Sequence, residues 1–318
     1  MAIVLTILLQ GSPSTKSHSA SNITTRASAK NKSSATSSNP HHSTAPTTSQ
    51  NPHSVTSTTS SSGNSPTQSL GSGTTTQDSQ YWLINSSGMS ALQASDPTAA
   101  SWFFNGSQDW VISGYGMSIG AASPVADYES YAQFASDIVT GNIASGIKWV
   151  LYDDEAWSGT PSIEQQHPET YLKEFAQLAH QHGFKVIETP ARDLMSVQGA
   201  DCDQATTGAS SVEAAYLACN IAADTQDADV MDIQSQGDQT DLPLYTSFTN
   251  SAAQQAHAVN PNMIVIAGLT SYRGYDSSSI VSAWQAVRAT VQGFWMNISP
   301  SAPTPAQQAL DSIIALEH

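Results

Sequence analysis

Charge is scarce in this chain, and positive charge is scarcest. Only 11% of its 318 residues are Asp, Glu, Lys or Arg, with 10 basic residues against 26 acidic ones. From residue 80 onward the imbalance sharpens to six basic against 25 acidic residues. No basic patch is available to neutralise phosphates, so nucleic acid is excluded as a partner and an anionic membrane surface is disfavoured. The acidic excess favours solubility, with steering of a cationic ligand as a second use.

Cysteine is nearly absent. Cys202 and Cys219 fall within one loop-plus-helix segment. In an exported chain they form a disulfide, which contributes roughly 3 kcal/mol for a loop of that length. Two unpaired buried thiols are the alternative. No C-x-x-C or Cys/His pattern exists, so no structural metal is expected. Several motifs are missing as well. There is no G-x-G-x-x-G after an early strand, no G-x-x-x-x-G-K-[ST] and no G-x-S-x-G. Dinucleotide binding, P-loop chemistry and a serine elbow are therefore unsupported, and no cofactor is expected. Long apolar runs are also missing. The opening "MAIVLTILLQ" is too short to span a bilayer and resembles the end of a signal-peptide core.

What is present divides in two. Residues 1–79 are rich in Ser, Thr, Asn and Pro and poor in large apolar residues, so they are expected to be a disordered linker. That composition, with the apolar start, places the protein outside the cell or in its wall. Residues 80–318 hold all the tryptophans and both cysteines, and their length suits one (β/α) domain. A monomer is expected.

Past residue 80 strands and helices alternate. "YWLI" (81–84), "DWVISGYG" (109–116), "IKWVLYDDE", "FKVIETPA", "ADVMDIQSQ", "NMIVIAGLTS" and "GFWMNIS" read as strands. Residues 126–146 read as a helix capped by Asp127 and ended by Gly146, with Tyr131, Phe134 and Ile138 at helical spacing. Other helices open at Pro168, in "SSVEAAYLACNIAAD", at "LPLYTSF", in "SSSIVSAWQAV" and at "TPAQQAL". Such alternation implies βαβ units and a parallel sheet. The fold expected is a TIM-like (β/α)8 barrel. An abbreviated first third is left open, and a doubly wound open sheet is the competitor.

In a barrel the chemistry sits at the C-terminal ends of the strands. Alternation puts Trp149, Leu151, Asp153 and Glu155 on one face, with Asp154 on the other. It likewise groups Asp232, Gln234 and Gln236, and pairs Trp295 with Asn297. Two carboxyls about 7 Å apart along a strand cannot both ionise freely in a partly dry site. One becomes a usable acid, the other a charged partner. Asp153 and Glu155 are the expected catalytic pair. Trp157, Gln234, Gln236, Trp295, Asn297 and Tyr115 are the expected substrate contacts. The acids Asp153, Asp154, Glu155, Glu188 and Asp232 are hard ligands, but their spacing is irregular and no metal is assigned.

The segment "YDDEAW" resembles the D-x-E strand end of family 18 glycoside hydrolases, the chitinase and hevamine-like barrels. That resemblance makes 147–155 strand four, "VMDIQSQ" strand six and "GFWMNI" strand eight. It implies a secreted enzyme cleaving a glycosidic bond, with Glu155 as general acid, Asp153 as partner and a carbohydrate as substrate. Lys148 and Leu151 stand where the longer family pattern has acids. A barrel that binds carbohydrate without cleaving it, or a wall-associated spacer, is therefore the alternative. A longer stretch, covering most of 145–298, resembles a group of exported bacterial barrel proteins of unsettled function, which implies fold and export but no substrate.

Overall fold

Eight short parallel strands close into a barrel in chain order, β1 Tyr81–Asn85, β2 Trp110–Ile112, β3 Ser123–Tyr128, β4 Trp149–Tyr152, β5 Lys185–Glu188, β6 Val230–Ile233, β7 Ile264–Thr270 and β8 Gly293–Asn297. The computed structural model describes residues 80–202 and 207–317. The barrel is complete, with three strands before β4 rather than an abbreviated first third, and an open doubly wound sheet is excluded. Strands four, six and eight are the ones the sequence numbering assigned. Among the described residues no helix is long and apolar enough to cross a membrane.

The strand sequences specify two faces. Leu83, Trp110, Val125, Leu151, Ile187, Val230 and Ile266 point inward and fill the barrel with a buried apolar layer. Their alternates point outward against the helices. Val150, Tyr152 and Val186 meet Leu172, Phe175, Ala176 and Ala179 of the Pro168–Gln181 helix. Tyr152 stacks on Phe175 with centroids 4.7 Å apart. Each large side chain so buried contributes about 1.5–3 kcal/mol. Above the inner layer the next inward residues are polar: Asn85, Asp127, Asp153, Thr189, Asp232 and Asn297. The register carries them there, since Asp127 lies across from Leu151, Asp232 from Ile266 and Asn297 from Thr270.

Two helices differ from the sequence reading. Residues 126–146 are not one helix. Val125 to Tyr128 complete β3, and the helix runs Tyr131–Thr140. Its cap is Ser130, whose hydroxyl accepts from the Gln133 N–H, and it ends at Gly141 at φ 70°. Pairing with β2 and β4 on both sides outweighs the local helical pattern. The second difference lies at residues 212–224, where Asn220 at φ 60° splits the helix into Val212–Cys219 and Ile221–Asp224. The helix at Pro168 and its stop at Gly183, φ 79°, are as expected. Cys202 and Cys219 form a disulfide, with their Cα atoms 5.6 Å apart.

Candidate active site

The acids that end β4 separate as alternation requires. Asp153 faces the barrel mouth, Asp154 is fully buried on the helix side, and Glu155 returns to the mouth. Backbone bonds hold this strand end on both sides. Asp153 N–H donates to the Tyr128 carbonyl at 2.9 Å, and Ala191 N–H to the Asp154 carbonyl at 2.9 Å. The loop that follows is pinned by Thr160. Its hydroxyl accepts from Glu155 N–H at 3.4 Å and from the Trp157 indole at 3.0 Å, and donates to the Glu129 carbonyl at 2.9 Å.

Two cavities meet at the mouth. The inner one, of about 180 Å³, lies on the apolar barrel layer and is lined by Asp127, Asp153, Asp232, Asn85, Thr189 and Trp295. The outer cleft, of about 710 Å³, is lined by Glu155, Gln234, Gln236, Asn297, Arg192 and Arg273, with Asp193, Tyr272 and Tyr275. Gln234 stands between them. Its amide donates to Asp153 Oδ1 at 3.2 Å and to both the carbonyl and the hydroxyl of Thr189 at 3.0 Å. It also favours the charged form of Glu155 through a side-chain hydrogen bond. The Asn85 amide reaches Asn297 Oδ1 at 3.4 Å beside it.

The electrostatics follow from burial among like charges. Asp153 is held well above the ordinary carboxylate range, first by burial and then by Glu155, Asp127, Asp232 and Glu129. Glu155 is raised by burial too, but its bond to Gln234 opposes the shift. Asp127, open to the cavity, is raised to about 6 by desolvation and by Glu129. Asp232, 1% exposed, is raised well above its usual value by burial, with the Thr189 hydroxyl opposing. None of the ion pairs among the described residues reaches these acids. Arg192 instead pairs with Glu213 and Asp238. Among the described residues no group of three or more His, Cys, Asp or Glu side chains is placed to hold a metal ion.

The structure brings Asp153, Glu155, Gln234, Gln236, Trp295 and Asn297 together. Gln236 arrives from the short turn after β6 rather than from the strand. Trp157 and Tyr115 line neither cavity; they are 40% and 52% exposed. Asp127 and Asp232 join the site from β3 and β6. Strand parity signals Asp232, whereas the helix assigned to 126–146 hides Asp127. Outside the site, His167 pairs with Asp201 and His180 with Asp229, both on the surface.

No family model matches this chain, and no curated protein matches it. Among solved structures it is similar to a Schiff-base-forming fructose-1,6-bisphosphate aldolase. The identity is 13% over 75% of this chain and 93% of that one, with a TM-score of 0.42. It is also similar to the protein CitE from Mycobacterium tuberculosis in complex with magnesium and acetate, at 11% over 73% and 90%, TM-score 0.37. A third is 2,3-dimethylmalate lyase, a PEP mutase/isocitrate lyase superfamily member, at 13% over 76% and 83%, TM-score 0.37. None of these is a glycoside hydrolase, and no family match supports either resemblance drawn from the sequence. The assignment to family 18, and with it glycosidic-bond cleavage, is corrected. The side chains agree: Leu151, where the family pattern has an acid, sits in the apolar barrel layer, and Lys148 is exposed before β4.

Proposed function

We propose that the barrel mouth is a general acid–base site for a small, polar, non-anionic substrate. The observation that carries this reading is the set of carboxyls at the mouth, Asp127, Asp153 and Asp232 in the inner cavity and Glu155 in the outer cleft, unneutralised by any ion pair among the described residues. Asp153 is the deeper of the central pair and has the more carboxyl neighbours, which favour its protonated form, so it serves as the acid. Glu155 faces the open cleft, and Gln234 favours its charged form, so it serves as the base. These roles are the reverse of those that the family 18 resemblance implied. Gln234 is the positioning residue that ties the pair together. Anionic substrates are opposed at this depth by the acids themselves.

The test is solvent exchange. The full chain is incubated in heavy water with pools of small amino, hydroxy and keto compounds, and loss of carbon-bound hydrogen is followed by NMR. Small sugars belong in the pools as binders, because the amides of Gln234, Gln236 and Asn297 offer bonds to hydroxyls. Exchange by the parent is expected to fall by about a hundredfold or more in Asp153→Asn and Glu155→Gln, the usual contribution of a positioned acid or base. Exchange that both variants retain, or none with any compound, overturns the reading.

Export, a monomeric barrel and a linker at 1–79 remain proposals, and the linker lies outside the described residues. The Cys202–Cys219 bridge supports an oxidising compartment.

A further inference from the structure

The inner cavity has a composition that its size makes specific. About 180 Å³ is roughly six water volumes. Its floor is apolar, from Leu83, Ile112 and Leu151, and three of its wall residues are aspartates from three strands, Asp127, Asp153 and Asp232. Apart from the nearby Thr189 hydroxyl, no described group offers a donor to either oxygen of Asp232, though the side chain is 1% exposed and lines the cavity. The indole N–H of Trp295, which lines the same cavity from β8, is likewise unmatched there. Buried carboxyl oxygens without donors are costly, and a ligand carrying donors relieves that cost.

We propose that this inner cavity is a subsite for a primary ammonium group on a short carbon chain. The ammonium supplies three N–H donors and a positive charge, and the chain lies on the Leu83, Ile112 and Leu151 floor. A metal ion is a poorer fit, because the acids lack the close ligand spacing that ions require. A neutral alcohol offers one donor and no charge. The rest of the ligand passes Gln234 and the Asn85–Asn297 pair into the outer cleft.

Binding must move protons. The carboxyls facing the cavity are Asp127 from β3, Asp153 just past β4 and Asp232 from β6, with Glu155 in the adjoining cleft and Glu129 beyond β3; no Lys, Arg or His lines it. An ammonium ion beside them favours their charged forms, so binding favours release of protons to solvent and strengthens as pH rises through the raised values.

Isothermal titration of the full chain with ethylammonium and propylammonium, beside ethanol and propanol, tests this. The amines are expected to bind with heats that differ between buffers of unlike ionisation heat, which reports proton release, and the alcohols are not. Asp232→Asn is expected to weaken ethylammonium by about tenfold or more, the loss of one charge-assisted bond. Asp127→Asn, on the β3 side of the cavity, is expected to weaken ethylammonium in the same direction. Alcohols that bind as well as amines, an Asp232→Asn variant with the parent's affinity, or no amine binding at all overturns the proposal. It rests on reading the mouth as a site, yet the two fail separately. Absent amine binding beside intact solvent exchange overturns the subsite alone; amine binding without exchange overturns the proton-transfer reading alone.

Discussion

Replacing Glu164 with Ala is expected to cost this domain about 4 kcal/mol, although the residue lies outside both cavities. Glu164 is 1% exposed and accepts four hydrogen bonds. Oε1 takes the Ser130 hydroxyl at 3.0 Å and Ala132 N–H at 3.2 Å; Oε2 takes Tyr131 N–H at 2.7 Å and the Tyr152 hydroxyl at 2.9 Å. Two of these donors are first-turn amides of the Tyr131–Thr140 helix, which carries the positive end of its dipole. Bonds to a charged acceptor contribute about 1.5–3 kcal/mol each, so four in simple addition exceed any plausible net effect. Water entering the vacated space re-pairs some donors, which brings the expected loss to about 4 kcal/mol, a large fraction of the roughly 5–15 kcal/mol that holds a domain. Glu164→Gln keeps an acceptor and is expected to lose about half as much. Urea denaturation reads both, through a lowered midpoint with an unchanged slope. A loss below about 1 kcal/mol for Glu164→Ala would refute the reasoning, because water would then serve these donors as well as the carboxylate does.

Other outcomes follow from the same structure. Arg192 is 17% exposed and pairs with Glu213 and Asp238, so Arg192→Met, which leaves two acids unpaired, is expected to lower stability by about 3 kcal/mol in thermal unfolding. Reducing the Cys202–Cys219 bridge, or replacing both cysteines with Ser, is expected to cost about 3 kcal/mol, with the parent showing no free thiol by mass spectrometry. Asp153, Asp154, Glu188 and Asp232 are all raised by burial. Raised acids favour the fold while protonated, so their contribution is full below about pH 4 and fades as pH climbs through the raised values. Asp224, raised to about 7, adds to that fall near neutrality. Melting temperature should therefore decline toward alkaline pH, and Glu188→Gln should flatten the decline; a curve that rises through neutral pH contradicts this.

The barrel was legible because its strands alternate cleanly. "KWVLYDDE" assigns Leu151 and Asp153 to the interior and Val150 and Tyr152 to the helix layer, and packing confirms the division. Strand β3 was illegible for a physical reason. "SPVADY" contains Pro124 and Ala126 and leads into a strong helical period at Tyr131, Phe134 and Ile138. A signal was present, since Ser130 and Gln133 form an S-x-x-Q start that places the helix beyond Asp127. The proposed acid and base roles differ from those the resemblance implied. They depend on depth and on carboxyls from other strands, which only the closed barrel brings together.

The most direct test of the account is the protonation state of Asp153. Infrared difference spectroscopy of the parent against Asp153→Asn, at neutral pH, isolates the carbonyl stretch of a protonated carboxyl. The account predicts that band in the parent at neutral pH, surviving well above the ordinary range for aspartate and absent from the variant. An Asp153 that is already ionised at neutral pH, with no such band in the difference spectrum, would contradict it.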